Sequence, residues 1–136
     1  MNNDEVLKDI LLSTKTVASV GISGNKSKVS HGVGVYLQSQ GYRVIPVNPT
    51  ADEILGEKSY PDLESIPEKI DVVQIFRRPE DVPPIVESAI KIGAKAVWMQ
   101  EGIVNEEAAQ RAREAGLQVV MDACMRATHQ RLIGYR

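Results

Sequence analysis

Along this chain, near-continuous apolar runs alternate with stretches of helical spacing. The runs lie at residues 17–22, 42–47, 71–76, 95–99 and 117–121. Such runs suit strands buried on both faces, as in a parallel sheet. After the first run and a small polar loop, Val33, Tyr36 and Leu37 resume at helical spacing, and Gly41 is placed to end that helix in a left-handed conformation. Val82, Ile85, Val86, Ala89 and Ile90 form another helical stripe. Pro79 and the pair Pro83-Pro84 stand at its start, where proline is tolerated, and Gly93 closes it. Asn105 caps a further helix, with Glu106 and Glu107 at its positive end and Gly116 past its last turn. Residues 123–132 predict a last helix.

Ahead of the first strand, Asn3 or Asp4 caps a helix with Val6, Leu7, Ile10 and Leu11 on one face, so residues 1–15 form a helix that packs on the domain. Residues 50–69 hold Gly56, Pro61 and Pro67 and lack a clear period. They read as a connector over one sheet face, with a helical turn at 63–66. The alternation predicts an α/β fold: a Rossmann-like, doubly wound, parallel five-stranded sheet with right-handed crossovers. No linker is long enough to divide the chain, so residues 1–136 form a single domain.

Composition narrows the function. A net charge of -2 gives no global basic field for nucleic acid or a membrane. One Phe, one Trp and four Tyr offer little for stacking single-stranded bases. With Cys124 alone there is no intrachain disulfide framework. No apolar stretch approaches the roughly 18 residues of a membrane span, and the acidic N-terminus is unlike a signal peptide. A cytoplasmic protein is expected.

Ligands of open α/β sheets bind beyond the carboxyl ends of the strands. Those ends carry Ser23, Gly24, Asn25 and Lys26; Asn48 and Pro49; Arg77 and Arg78; Gln100, Glu101 and Gly102; and Asp122, Ala123 and Cys124. The first loop runs strand, small polar turn, helix, which presents backbone N–H groups to a phosphate. It is not the G-x-G-x-x-G of dinucleotide sites, and Asn48-Pro49 stands where an NAD site wants an acid for the ribose. Lys26, Lys28, Arg77 and Arg78 suit a phosphorylated ribose instead, since cations are unfavourable at a helix start unless an anion joins them.

The stretches VASVGISGNKSK, GYRVIPVNP, VVQIFRRPEDVP, AVWMQEGI and VVMDACM, in this order, resemble the CoA-binding domain family. Its members are small stand-alone Rossmann-like proteins, similar to the first domain of the succinyl-CoA synthetase α subunit. The resemblance implies that Gly21, Ser23, Gly24, Asn25 and Lys26 surround the pyrophosphate of coenzyme A. It puts Asn48 and Pro49 beside the adenosine and its 3′-phosphate, and Phe76, Arg77 and Arg78 on the adenine or ribose side. Gln100, Glu101 and Gly102 match the turn after the fourth strand, and Cys124 matches a cysteine near the cofactor crevice.

The synthetase's second domain, with its phosphorylated histidine, has no counterpart here. His31 and His129 fall in no matching motif and read as surface residues. The expectation is therefore a non-catalytic binding or regulatory protein for CoA or an acyl-CoA; the alternative is an NAD(P)-binding oxidoreductase-type domain. Glu101 is the best acid or base candidate, and Cys124 is either a nucleophile ahead of the last helix or a small buried residue. Trp98 reads as core. A homodimer through the N-terminal helix or an edge strand is a further expectation.

Overall fold

The computed structural model describes residues 2–134, so the outermost positions of the expected 1–136 domain, residues 1, 135 and 136, lie outside the described residues. Five parallel strands form the sheet: β1 (Thr16–Val20), β2 (Arg43–Val47), β5 (Val72–Ile75), β6 (Ala96–Met99) and β7 (Gln118–Val120). Their order is β2-β1-β5-β6-β7, with every neighbouring pair parallel. The fold is the expected doubly wound α/β sheet. Its strand order reverses between β1 and β5, and in open α/β sheets ligands bind beyond the carboxyl ends of the strands at such a point.

Helices α1 (Asp4–Ser13), α2 (Val29–Ser39) and α5 (Met125–Leu132) cover one face. Leu7, Ile10, Leu11, Val33, Leu37 and Met125 pack there against Val17, Val44, Val72 and Trp98. On the opposite face, α3 (Val82–Lys91) and α4 (Glu106–Glu114) lay Val86, Ala89, Ala109 and Ala112 against Ala18, Ile45, Val73 and Val97. The strands are buried on both sides, which is why they read as apolar runs rather than alternating ones. Trp98 is fully buried.

Strand ends differ from the sequence reading by one or two residues. The first stops at Val20 because Gly21 turns out of the sheet at φ +89°. Asn3 is the cap of α1, its Oδ1 accepting from the backbone N–H groups of Glu5 and Val6 at 2.8 and 3.3 Å. Proline opens a 3-10 turn, Pro79–Asp81, that leads directly into α3. The final helix starts at Met125, two residues later than expected.

The connector holds more structure than its sequence suggests. β3 (Glu53–Ile54) and β4 (Glu57–Lys58) make a small antiparallel hairpin. Leu55 and Gly56 both turn at positive φ, 60° and 73°, which matches the twist of a two-residue hairpin. The expected helix at 63–66 is only one turn, closed by Ile66 N–H to the Leu63 carbonyl at 3.2 Å. Downstream of the hairpin, Tyr60 bonds along the outer edge of β2: Tyr60 N–H donates to Pro46 O at 3.0 Å and Asn48 N–H to Tyr60 O at 2.9 Å. At the other edge, the Asn2 amide lies along the end of β7, donating to Met121 O at 2.8 Å and accepting from Met121 N–H at 3.4 Å.

Candidate functional site

The carboxyl rim is built around the switch point. Gly21 follows β1, and Phe76 and Arg77 follow β5. The two segments approach so closely that a Cβ on Gly21 would stand 2.5 Å from Phe76 O and 2.8 Å from Arg77 Cδ. Glycine is therefore required here for space as well as for conformation.

Two cavities open beside this contact. One, of about 380 Å³, is lined by Gly21, Pro49 and Arg77, with apolar walls from Val20, Val47, Leu63 and Ile85. Asp62, Glu80 and Asp81 add carboxylates to its lining. The other, of about 440 Å³, is lined by Val29, Phe76, Arg77, Arg78, Gln100, Glu101, Ile103 and Cys124. Arg77 belongs to both. The loop from Gly21 to Val29 joins them, since its first residue lines one cavity and its last lines the other.

That loop is held in shape by its own small polar side chains. Ser23 N–H donates to Ser30 Oγ and Asn25 N–H to Ser23 Oγ, each at 3.0 Å; Ser27 N–H donates to Asn25 Oδ1 at 3.0 Å. It delivers the chain to the start of α2, where Lys28 occupies the cap position without a capping side-chain bond and no acid stands in the first turn. Lys26 and Lys28 are exposed. Arg126, in the first turn of α5, brings another cation near, its Nη1 3.7 Å from where a Cβ on Gly32 would lie. A helix start surrounded by cations and free of carboxylates is an environment for an anion.

The floor of the second cavity is organised by a buried amide relay. Ser19 Oγ donates to Gln74 Oε1 at 2.8 Å, and Gln74 Nε2 donates to Gln100 Oε1 at 3.2 Å. Gln100 Oε1 also accepts from Met125 N–H at 3.0 Å, which satisfies the start of α5. All three side chains are buried. Cys124, the residue before α5, is half-buried, and Trp98 Nε1–H donates to the neighbouring Ala123 carbonyl at 2.8 Å.

The sequence-derived residues divide accordingly. Gly21, Pro49, Phe76, Arg77, Arg78, Gln100, Glu101 and Cys124 line the cavities, and Ser23, Gly24, Asn25 and Lys26 form the loop joining them. Asn48 lines neither: its amide donates to Ile22 O at 3.0 Å and accepts from Thr50 N–H at 2.9 Å, tying the end of β2 to the loop after β1. Gly102 lines neither and donates its N–H to Asp122 Oδ1 at 2.6 Å. Arg78 pairs with Asp81 at 3.3 Å while remaining exposed. Glu101 is exposed at the cavity.

The histidines correct the sequence reading, since both are buried. His129 is fully enclosed, with Nδ1 2.7 Å from the Tyr36 hydroxyl and its ring edge-on to Tyr36 and Tyr42. The signal was there: Met125, Thr128 and His129 share one face at helical spacing. His31 is covered on the inner side of α2. Strand-end reasoning also missed Val29, Arg126 and the connector wall at 61–63. Arg126 carried the clue already used for Arg77 and Arg78, a cation at a helix start. The wall carried none, because residues distant from a strand end reach the rim only through tertiary packing.

Comparison with known proteins places this geometry. Residues 15–130 match the family described as the CoA binding domain. Uncharacterized protein YneT of Bacillus subtilis is 43% identical over 123 residues, spanning 90% of this chain and 91% of that protein. A solved structure of a hypothetical protein from Pyrococcus horikoshii OT3 superposes with a TM-score of 0.94 at 44% identity, over 98% of this chain and 94% of that one. An ADP-forming acetate–CoA ligase of Archaeoglobus fulgidus is 32% identical over 99 residues, 71% of this chain but 15% of the ligase.

Proposed function

This chain belongs to the CoA binding domain family, and we propose that it holds coenzyme A or an acyl-CoA along the carboxyl rim as a binding or regulatory protein. The observation that carries this reading is the order of environments along the rim. An apolar cavity edged by carboxylates, a cation-lined helix start and a second cavity, walled by Val29, Phe76 and Ile103 with exposed Arg78 and Glu101, follow one another, with Arg77 shared by both cavities. Coenzyme A runs from a nucleoside that carries a 3′-phosphate, through a pyrophosphate, to an uncharged pantetheine arm.

In this arrangement the adenine lies against Val47, Pro49, Leu63 and Ile85, where an exocyclic amine suits Asp62 or Asp81. The pyrophosphate takes the N–H groups at the start of α2, with Lys26, Lys28 and Arg126 supplying charge. Arg77, between the two cavities, meets a ribose or pyrophosphate oxygen. Asn48 acts from behind, fixing the loop. The arm runs past Phe76 and Val29 toward Gln100 and Cys124.

Calorimetric titration of the reduced protein with CoA, acetyl-CoA and NADH tests the proposal. CoA binding without NADH binding is the expected result, and Arg77→Ala should weaken CoA by about tenfold, the scale of one charge-assisted hydrogen bond. NADH binding in place of CoA would overturn it.

A further inference from the structure

The buried relay leaves one donor unspent. A backbone N–H can only donate, so the group facing Met125 N–H must be the oxygen of the Gln100 amide. That fixes the rest of the chain: Gln74 turns its nitrogen toward Gln100 Oε1 and its own oxygen toward the Ser19 hydroxyl. Gln100 Oε1 thus takes two hydrogen bonds, while its Nε2 makes none to any described residue. Gln100 is only 4% exposed, and it lines the cavity beside Cys124. The amide N–H₂ is thus held in one orientation, without a protein acceptor, at the wall of the cavity, where a bound group can supply one.

What the cavity admits is restricted by its walls. Val29, Phe76, Ile103 and Cys124 are weakly polar or apolar, and the charged side chains Arg77, Arg78 and Glu101 are exposed. A carbonyl oxygen, which accepts and cannot donate, satisfies Gln100 there beside the apolar Val29, Phe76 and Ile103. We infer that Gln100 Nε2 recognises a neutral carbonyl of the bound arm, and that the Ser19–Gln74–Gln100 relay exists to hold that donor toward the cavity. This rests on the CoA reading above. The carbonyl is either that of an acyl thioester or an amide of the pantetheine arm.

Gln100→Glu separates the donor from the rest of the residue. It has nearly the same shape and keeps an oxygen for Met125 N–H and Gln74 Nε2, but it replaces the free N–H₂ with an acceptor that repels a carbonyl. The wild-type and variant proteins are titrated with acetyl-CoA, CoA and adenosine 3′,5′-bisphosphate, which has no arm. A loss of tenfold or more for acetyl-CoA alone assigns the thioester carbonyl. An equal loss for acetyl-CoA and CoA, with the bisphosphate unaffected, assigns a pantetheine amide. Equal losses for all three ligands, or no loss, overturn the inference while leaving CoA binding intact. Failure of the wild-type protein to bind CoA overturns the functional proposal and this inference together. Should the variant not fold, the wild-type protein still decides: the Gln100 side-chain ¹⁵N–¹H₂ resonances must shift when acetyl-CoA is added, and unmoved resonances at saturation overturn the assignment.

Discussion

A methyl group on Gly21 would meet Phe76 O at 2.5 Å while the backbone stays at φ +89°. Gly41 has nearly the same backbone, φ +94°, with nothing within 4 Å of a Cβ. The pair separates two effects. Gly41→Ala carries the left-handed conformational cost alone, about 1–2 kcal/mol. Gly21→Ala adds overpacking against backbone and should cost about 2–5 kcal/mol in urea unfolding. It should also abolish ligand binding, because the strand ends that form the crevice must part. Equal losses at the two positions would mean that the close approach is not maintained. At this scale the sequence was legible where chemistry is local. Gly21, Arg77 and Cys124 were found because they lie on the short segments that leave strand ends. The burial of His129 was legible from the face it shares with Met125 and Thr128, but its place beside Tyr36 and Tyr42 was not, because that depends on how α5 packs on α2. Gln74 was not, because a polar residue inside an apolar run acquires meaning only from Ser19 and Gln100 on neighbouring segments.

At the scale of elements, Asp71 joins three of them. Its Oδ2 accepts from the N–H groups of Lys15 and Thr16 at the start of β1, at 2.9 and 3.1 Å, and its Oδ1 lies 3.5 Å from Lys95 Nζ ahead of β6. Burial pushes its pKa up, but the two backbone donors and Lys95 outweigh burial and hold it below the ordinary 3.8. The folded state therefore binds this proton less readily than the unfolded chain. Its contribution to stability is present above the unfolded value and is lost as pH falls from about 4 through the folded pKa. Asp71→Asn should lower stability at neutral pH and flatten the acid limb of a stability–pH curve; an unchanged acid limb would show that other carboxylates set it. The strands and main helices were legible because their patterns are long and regular. The hairpin of β3 and β4 was not, because two-residue strands carry too few positions to show a period and its turn uses Leu55 in a conformation normally left to glycine or asparagine.

For the whole molecule, the two cores lie on opposite faces of one sheet, and every sheet strand contributes to both or lies between them. Because both layers bury the same strands, unfolding should be a single cooperative event. The fluorescence of Trp98, buried on the α1–α2–α5 face, and far-ultraviolet circular dichroism should report the same urea midpoint. Separate midpoints would show that one helical layer leaves first. Alternation predicts a doubly wound parallel sheet but not the order of its strands; the observed order collects at one rim residues as distant as Gly21 and Cys124.

The outer borders of that sheet have a consequence for crowded conditions. A bare strand edge is a template on which a second chain can crystallise its own backbone, and that is how folded proteins seed fibrils. Here Tyr60 occupies the end of one border and the Asn2 amide imitates a peptide unit at the other. At those two points the donors and acceptors that an incoming strand would need are already taken, so pairing cannot run unbroken past either strand end.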